Sequence, residues 1–112
     1  MKINGVELDF ALFDQDRAAQ RDAYFAVLKD IVKMDEHRSE NQTEQIKAEC
    51  DAIKHLFDDT FGEGTGDRVC GQGHDHLACL EAYEMLVNEQ IRQCNRYAAV
   101  KKRLNSRNRK KK

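Results

Sequence analysis

Four potential zinc ligands lie within ten residues of one another in a glycine-rich part of the chain. Their spacing is C-x3-H-x-H-x2-C, and the residues are Cys70, His74, His76 and Cys79. Zinc takes four thiolate or imidazole ligands tetrahedrally, and such a site would be structural because no position remains for a reacting water. Structural zinc sites usually join two ligand pairs across a longer stretch of chain. We therefore favour the alternative, in which Cys79 lies near the core, both histidines face solvent, and no metal or other cofactor is bound.

The same region holds five of the six glycines, which raises the question of a phosphate-binding loop. A Walker loop requires a lysine and a hydroxyl residue directly after its last glycine, whereas Gly66 is followed by Asp67 and Arg68. The dinucleotide pattern G-x-G-x-x-G also fails, because the glycines lie at 62, 64 and 66 and follow a predicted helix. The segment is predicted to be a connector, in which a glycine ends one helix before the next begins.

A cysteine nucleophile is the remaining catalytic possibility in this region. Cys70 with His55 or His74 would supply a thiolate and a base. No pattern supplies a residue to orient the base or an oxyanion hole, both of which such chemistry uses. We therefore predict that the protein is not an enzyme and has no small-molecule substrate.

Charge is distributed unevenly along the 112 residues. Residues 101–112 contain eight Lys and Arg and no acid, whereas residues 1–100 contain 11 basic and 20 acidic residues. A basic tail on an acidic body suits contact with acidic protein surfaces, or neutralisation of nucleic-acid phosphates. In the nucleic-acid alternative the contacting side chains would be Lys101, Lys102, Arg103, Arg107, Arg109 and Lys110.

Hydrophobic periodicity predicts a mainly α, single-domain fold. Asn4-Gly5 tolerates positive φ at both central turn positions and therefore predicts an N-terminal β-hairpin over residues 1–12. Apolar residues at steps of three and four predict three helices, over 15–37, 42–60 and 76–104. Residues 1–100 form the predicted helical domain, and residues 101–112 a partly disordered basic tail.

The last predicted helix is the longest and has the most regular apolar pattern. Its apolar positions are Leu80, Tyr83, Val87, Ile91, Cys94 and Ala98. Because its companions are too short to cover it beyond Ile91, we expect apolar surface there that binds a second copy or another protein. The hairpin offers a second mode, addition of a strand. The predicted partner-binding residues are Val6, Leu8, Phe10, Val87, Ile91, Cys94 and Tyr97.

Three stretches resemble a family of small proteins from phages and prophages of Gram-positive bacteria. They are the opening MKINGVELDF, the bend FGEGTG and the helix start CLEAYEML. In order and size the family is similar to tail-region proteins, encoded near the tail tube and tape measure. The resemblance implies a virion-assembly role, as a tail assembly chaperone or a minor structural component, with the protein itself and phage tail components as partners.

No apolar run near the N-terminus is long enough for a signal peptide, and none approaches the roughly 20 residues that span a bilayer. We therefore expect a protein of the host-cell cytoplasm or the virion, with no membrane partner and with its cysteines reduced. The predicted function is non-catalytic tail assembly by self-association and helix-mediated binding, and the alternative is nucleic-acid binding through the basic tail.

Overall fold

The computed structural model describes residues 1–36 and 41–110. Within them a two-stranded hairpin precedes four α-helices. The elements are β1 (Lys2–Ile3), β2 (Val6–Glu7), α1 (Ala18–Glu36), α2 (Gln42–Phe61), α3 (Thr65–Cys70) and α4 (His76–Lys110). The predicted class, mainly α with a short N-terminal hairpin and a long C-terminal helix, is confirmed. The structure differs from the prediction in α3, a short helix that lies in the segment predicted to be only a connector.

The hairpin turns at the predicted dipeptide but is shorter than predicted. Asn4 and Gly5 have φ of 49° and 83°, the positive values that this tight turn requires. Lys2 pairs with Glu7 and Ile3 with Val6 in antiparallel register, and the chain leaves the ladder after Glu7. The Asn4 side chain donates a 2.7 Å hydrogen bond to the carbonyl of Val69, which ties the turn to α3.

Side-chain caps begin the first two long helices. Asp14 accepts from the amide of Asp16 and starts a 3-10 turn that leads into α1, and Asn41 accepts from the amide of Glu44 at the start of α2. Such caps satisfy amides that have no partner within the helix. The predicted end of the first helix at residue 37 lies outside the described residues.

The core lies around α2, which packs against each of the other three helices. Ile53, Leu56 and Phe57 are fully buried on α2, and Tyr24 of α1 and Leu86 of α4 are buried against the same cluster. Ile3 brings the hairpin into this core. The side of α2 that faces α3 carries the half-buried Lys54 and Asp58.

The glycine-rich segment lies along that side of α2. Lys54 donates to the carbonyl of Gly73 at 2.6 Å and pairs with Asp67 at 3.0 Å, and Asp58 accepts from the amide of Gly66 at 2.7 Å. A β-carbon on Gly66 would lie 2.6 Å from the Lys54 carbonyl oxygen. Only glycine permits this close approach of α3 to α2.

Helix α4 extends well past the core. Its 35 residues span about 52 Å at 1.5 Å per residue, and the molecule measures 62 Å along its longest axis. Its buried residues end at Leu86, and every residue from Asn95 to Arg107 is exposed. The helix also continues beyond its predicted end at residue 104, through most of the basic segment that was predicted to be partly disordered.

Candidate partner-binding surface

The part of α4 that extends past the core, residues 95–107, is called the projecting segment below. It carries large apolar side chains in solvent. Tyr97 is 46% exposed, Val100 37% and Leu104 48%. Single exposed apolar residues are ordinary on a protein surface, but three successive ones on one helix face mark a candidate binding site.

These three residues continue the face by which α4 enters its own core. The core face begins with Cys79, Ala82 and Leu86, which are fully buried. It passes through Gln93 and then runs at steps of four, three and four to Tyr97, Val100 and Leu104. This is the spacing at which one helix packs side chains into another. The core face is thus covered at one end of α4 and uncovered at the other.

A second row of residues, apolar except for Glu84, is called the outer stripe. It lies about 100° around α4 from the core face, because successive residues of an α-helix are rotated by about 100°. Its members are Leu80, Glu84, Val87, Ile91, Cys94 and Ala98. Leu80 and Ile91 are 41% and 48% exposed, while Val87 and Cys94 are half-buried. The sequence pattern pointed to this side of α4, with Tyr83 where the stripe has Glu84, but the core is built from the neighbouring row.

The chain before α1 covers the start of the projecting segment. Phe13 stacks on Tyr97 with ring centroids 4.1 Å apart and planes 5° apart. Gln93 holds this chain in place, because its side chain donates to the carbonyl of Phe10 at 2.6 Å and accepts from the amide of Leu12 at 2.9 Å. An open groove of about 410 Å³ lies between residues 10–14 and α4.

An ion pair fixes the polar side of this groove. Arg92 donates two hydrogen bonds to Glu89, and Gln93 donates a third to the same carboxylate. The bonds from Arg92 hold the pKa of Glu89 below its ordinary value, although burial alone would raise it. Arg92 and Arg96 line the groove, so its walls combine aromatic rings with positive charge.

The four candidate zinc ligands do not come together around a common point. His74 contacts Asp51 at 2.9 Å and His76 contacts Glu49 at 2.7 Å, both across to α2. In residues 1–36 and 41–110, no group of three or more His, Cys, Asp or Glu side chains is arranged to hold a metal ion. The two histidines thus act in the described structure as links between the glycine-rich segment and α2.

Three thiols are buried together beneath that segment. Cys50 and Cys79 are fully buried and Cys70 nearly so. Burial is the main reason that the pKa of Cys50 is raised to about 12, with a contribution from its hydrogen bond with Cys79. Burial also raises the pKa of Cys70 and Cys79. A thiol held in its neutral form is a poor nucleophile, so these residues serve the core.

The predicted strand-addition surface requires a correction. Leu8 and Phe10 are buried, and the Phe10 ring lies 5.0 Å from Tyr24 and 5.7 Å from Phe61, centroid to centroid. Their side chains belong to the protein's own core, because the chain turns inward where the ladder ends. Val6 is half-buried at the edge of the same core.

The predicted basic residues lie on the last turns of α4. Lys101, Lys102, Arg103 and Arg107 are exposed, and Arg109 and Lys110 belong to the same helix. Because α4 is helical here, these positions are distributed around most of its circumference, apart from the face that carries Leu104. The basic end is therefore a positively charged rod, and no acidic residue follows Glu89 in the sequence.

Over residues 4–112 the sequence matches a family described as being of unknown function, DUF6673. The chain belongs to this family. The DUF6673 match takes in the hairpin turn, all four described helices and the basic end of α4. No curated protein and no solved structure matches the chain.

None of the helices in the described residues is both long enough and apolar enough to cross a bilayer.

Proposed function

We propose that the protein is a non-catalytic assembly factor that binds other proteins through α4. The observation that carries the proposal is the projecting segment, which continues the core face into solvent with Tyr97, Val100 and Leu104 exposed. A partner helix laid along this face would extend the packing that α2 provides at the other end. Recognition by burial of one helix face against another is a common mode of protein binding.

The resemblance to phage and prophage tail-region proteins narrows the proposed role. A tail assembly chaperone or a minor structural component must hold other chains without changing them chemically. The projecting segment, which is apolar on one face and basic along its length, fits that task, because it offers both buried contact and attraction to acidic surfaces. The proposed partners are phage tail components and further copies of this chain.

Co-purification tests the proposal directly. The chain would be expressed together with the proteins encoded by its neighbouring genes and then purified, and the bound chains identified by mass spectrometry. We expect a tail-tube or tape-measure component with the native chain. Val100→Asp with Leu104→Asp should abolish that binding, because two charges would enter the buried contact.

The matched control adds the same charge elsewhere on the same helix. Ala99→Asp with Ser106→Asp places two acids on the side of α4 opposite the core face, so co-purification should persist. Circular dichroism would verify that both double variants remain helical. Recovery of no tail component, or equal loss of binding in both variants, would contradict the proposal.

Nucleic-acid binding is the second candidate function, and it has its own observation in favour. The basic end of α4 is a continuous helix with exposed Lys101, Lys102 and Arg103 and no acid among them. A helix of this charge can neutralise backbone phosphates without reading bases. The acidic body opposes the approach of a duplex, which is why we place this function second.

Fluorescence anisotropy with labelled DNA and RNA distinguishes the two functions. Nucleic-acid binding predicts an affinity that falls steeply with salt, and a shallower salt dependence once Lys101, Lys102 and Arg103 are changed to Gln. Co-purification with tail components should persist in this variant, because Val100 and Leu104 are unchanged. No measurable binding at low salt would exclude the second candidate.

A further inference from the structure

We propose that two copies of this chain pair through α4 in antiparallel orientation, with the outer stripe of one copy against the outer stripe of the other. The inference deepens the proposed assembly function and rests on it. It concerns a different face from the projecting Tyr97, Val100 and Leu104, which remain free for another partner.

The outer stripe has the spacing of a helix-pairing seam. Its residues follow one another at steps of four, three, four, three and four, which is the heptad pattern. Leu80, Ile91 and Ala98 are exposed on it, and Val87 and Cys94 are half-buried. The seam is therefore apolar along its middle and only partly covered in the single chain.

The distribution of charge along α4 identifies a second copy as the binding partner and indicates its orientation. The first half of α4 carries the acids Glu81, Glu84 and Glu89, and from Arg92 onward every charged residue is basic. An antiparallel second copy places each basic half beside an acidic half. A parallel pair would instead place the two basic halves together, and like charges at such positions are destabilising.

One register pairs the apolar positions in the middle of the seam with each other and opposite charges beyond them, while Leu80 faces Asn105. When Ile91 faces Cys94 of the second copy, Val87 faces Ala98 and Glu84 faces Lys101, because facing positions in antiparallel helices have a constant sum. The two-fold symmetry of the pair then repeats each contact. Ion pairs at the ends of a seam contribute chiefly to orientation.

Cross-linking between two different variants tests the orientation. In a Cys94→Ala background, Glu84→Cys and Lys101→Cys would be made as separate chains of distinguishable mass, mixed, and treated with a short bis-maleimide. We expect a cross-linked pair in the mixture and none with either variant alone. A parallel pair would cross-link each variant with itself, and a monomer would give no product. Either of those results would overturn the proposal.

A charge exchange tests the energetics in chains that keep their native cysteines. Glu84→Lys or Lys101→Glu alone should raise the dissociation constant of the dimer, measured by sedimentation equilibrium, by on the order of tenfold. Each change creates two like-charge contacts per dimer. The two changes together should restore most of the affinity. Glu63→Lys, in an exposed turn away from α4, is the matched control and should leave the affinity unchanged. A dimer indifferent to all of these changes, or no dimer at all, would contradict the proposal.

The two proposals can fail separately. A chain that remains monomeric but loses a tail component through Val100→Asp and Leu104→Asp would leave the assembly function standing and remove the antiparallel pair. A chain that pairs in the expected register but retains no tail component would do the reverse.

Discussion

At the scale of single residues, glycine decides how closely two helices approach. The conformational freedom of Asn4 and Gly5 forms a turn that the sequence already indicates. Gly66 has a different role, because the absence of its side chain lets α3 lie against the Lys54 backbone of α2. That role depends on Lys54, which is distant in the sequence, so no local sequence pattern predicts it.

Gly66→Ala should lower the free energy of unfolding by about 1–3 kcal/mol, as over-packing in a rigid interior does. The added carbon would meet backbone atoms of Lys54, which cannot move aside as a flexible side chain would. Gly73→Ala is the matched control, since a β-carbon there meets nothing within 4 Å. Urea denaturation of both variants measures the difference. Equal stability of the two would show that α3 does not pack as described.

The buried thiols predict a loss of stability at high pH. Because the folded-state pKa of Cys50 is raised from 9.0 to about 12, its stabilising effect is complete below pH 9 and is lost as the pH rises towards 12. The urea midpoint should therefore fall steadily above pH 9. Cys50→Ala should reduce that dependence, whereas Cys94→Ala, at a half-exposed position, serves as the control. An unchanged midpoint between pH 8 and 11 would contradict the assignment.

At the scale of elements, side chains of α2 and α4 hold segments that have little regular structure. Lys54 and Asp58 hold the glycine-rich segment, and Gln93 holds the chain between the hairpin and α1. These links are polar and lie at the rim of the core. They position Phe13 over Tyr97, where the projecting segment begins.

Gln93→Ala should free the chain over residues 10–14 without unfolding the helices. The change leaves the Leu12 amide and the Phe10 carbonyl without their partner, which typically reduces stability by about 1–3 kcal/mol. Hydrogen exchange at the Leu12 amide should accelerate more than exchange within α2. Asn95→Ala, on the exposed side of the same helix, is the control. Unchanged protection of Leu12 would show that Gln93 does not anchor this chain.

At the scale of the whole molecule, stability and binding reside in different parts of α4. The first half is part of the core, and the second half contributes almost nothing to it. Such a division permits a surface to expose apolar side chains without weakening the fold, because the fold does not depend on them.

Removal of residues 101–112 should leave the melting temperature of the dilute, monomeric chain nearly unchanged, since residues 101–107 are all exposed. The same truncation should abolish nucleic-acid binding if the second candidate function is correct. Differential scanning calorimetry of the full and truncated chains checks the first expectation. A fall of many degrees at that dilution would mean that the basic end of α4 packs on the body of its own chain.

The sequence by itself determined the elements whose causes are local. Asn4-Gly5 specifies the turn because few dipeptides tolerate its backbone angles, and the repeated steps of three and four specify α1, α2 and α4. The short α3 escaped prediction because its stability comes from Asp58 and Lys54 of another helix rather than from its own residues.

The tertiary structure alone decided which side of α4 is buried. Two apolar rows lie about 100° apart on this helix, and both satisfy the helical period. Helix α2 covers the row that begins with Cys79, Ala82 and Leu86, and it leaves Leu80 and Ile91 in solvent. Periodicity shows that a helix has an apolar face, but shape complementarity with a neighbour decides which face enters the core and which remains to bind a partner.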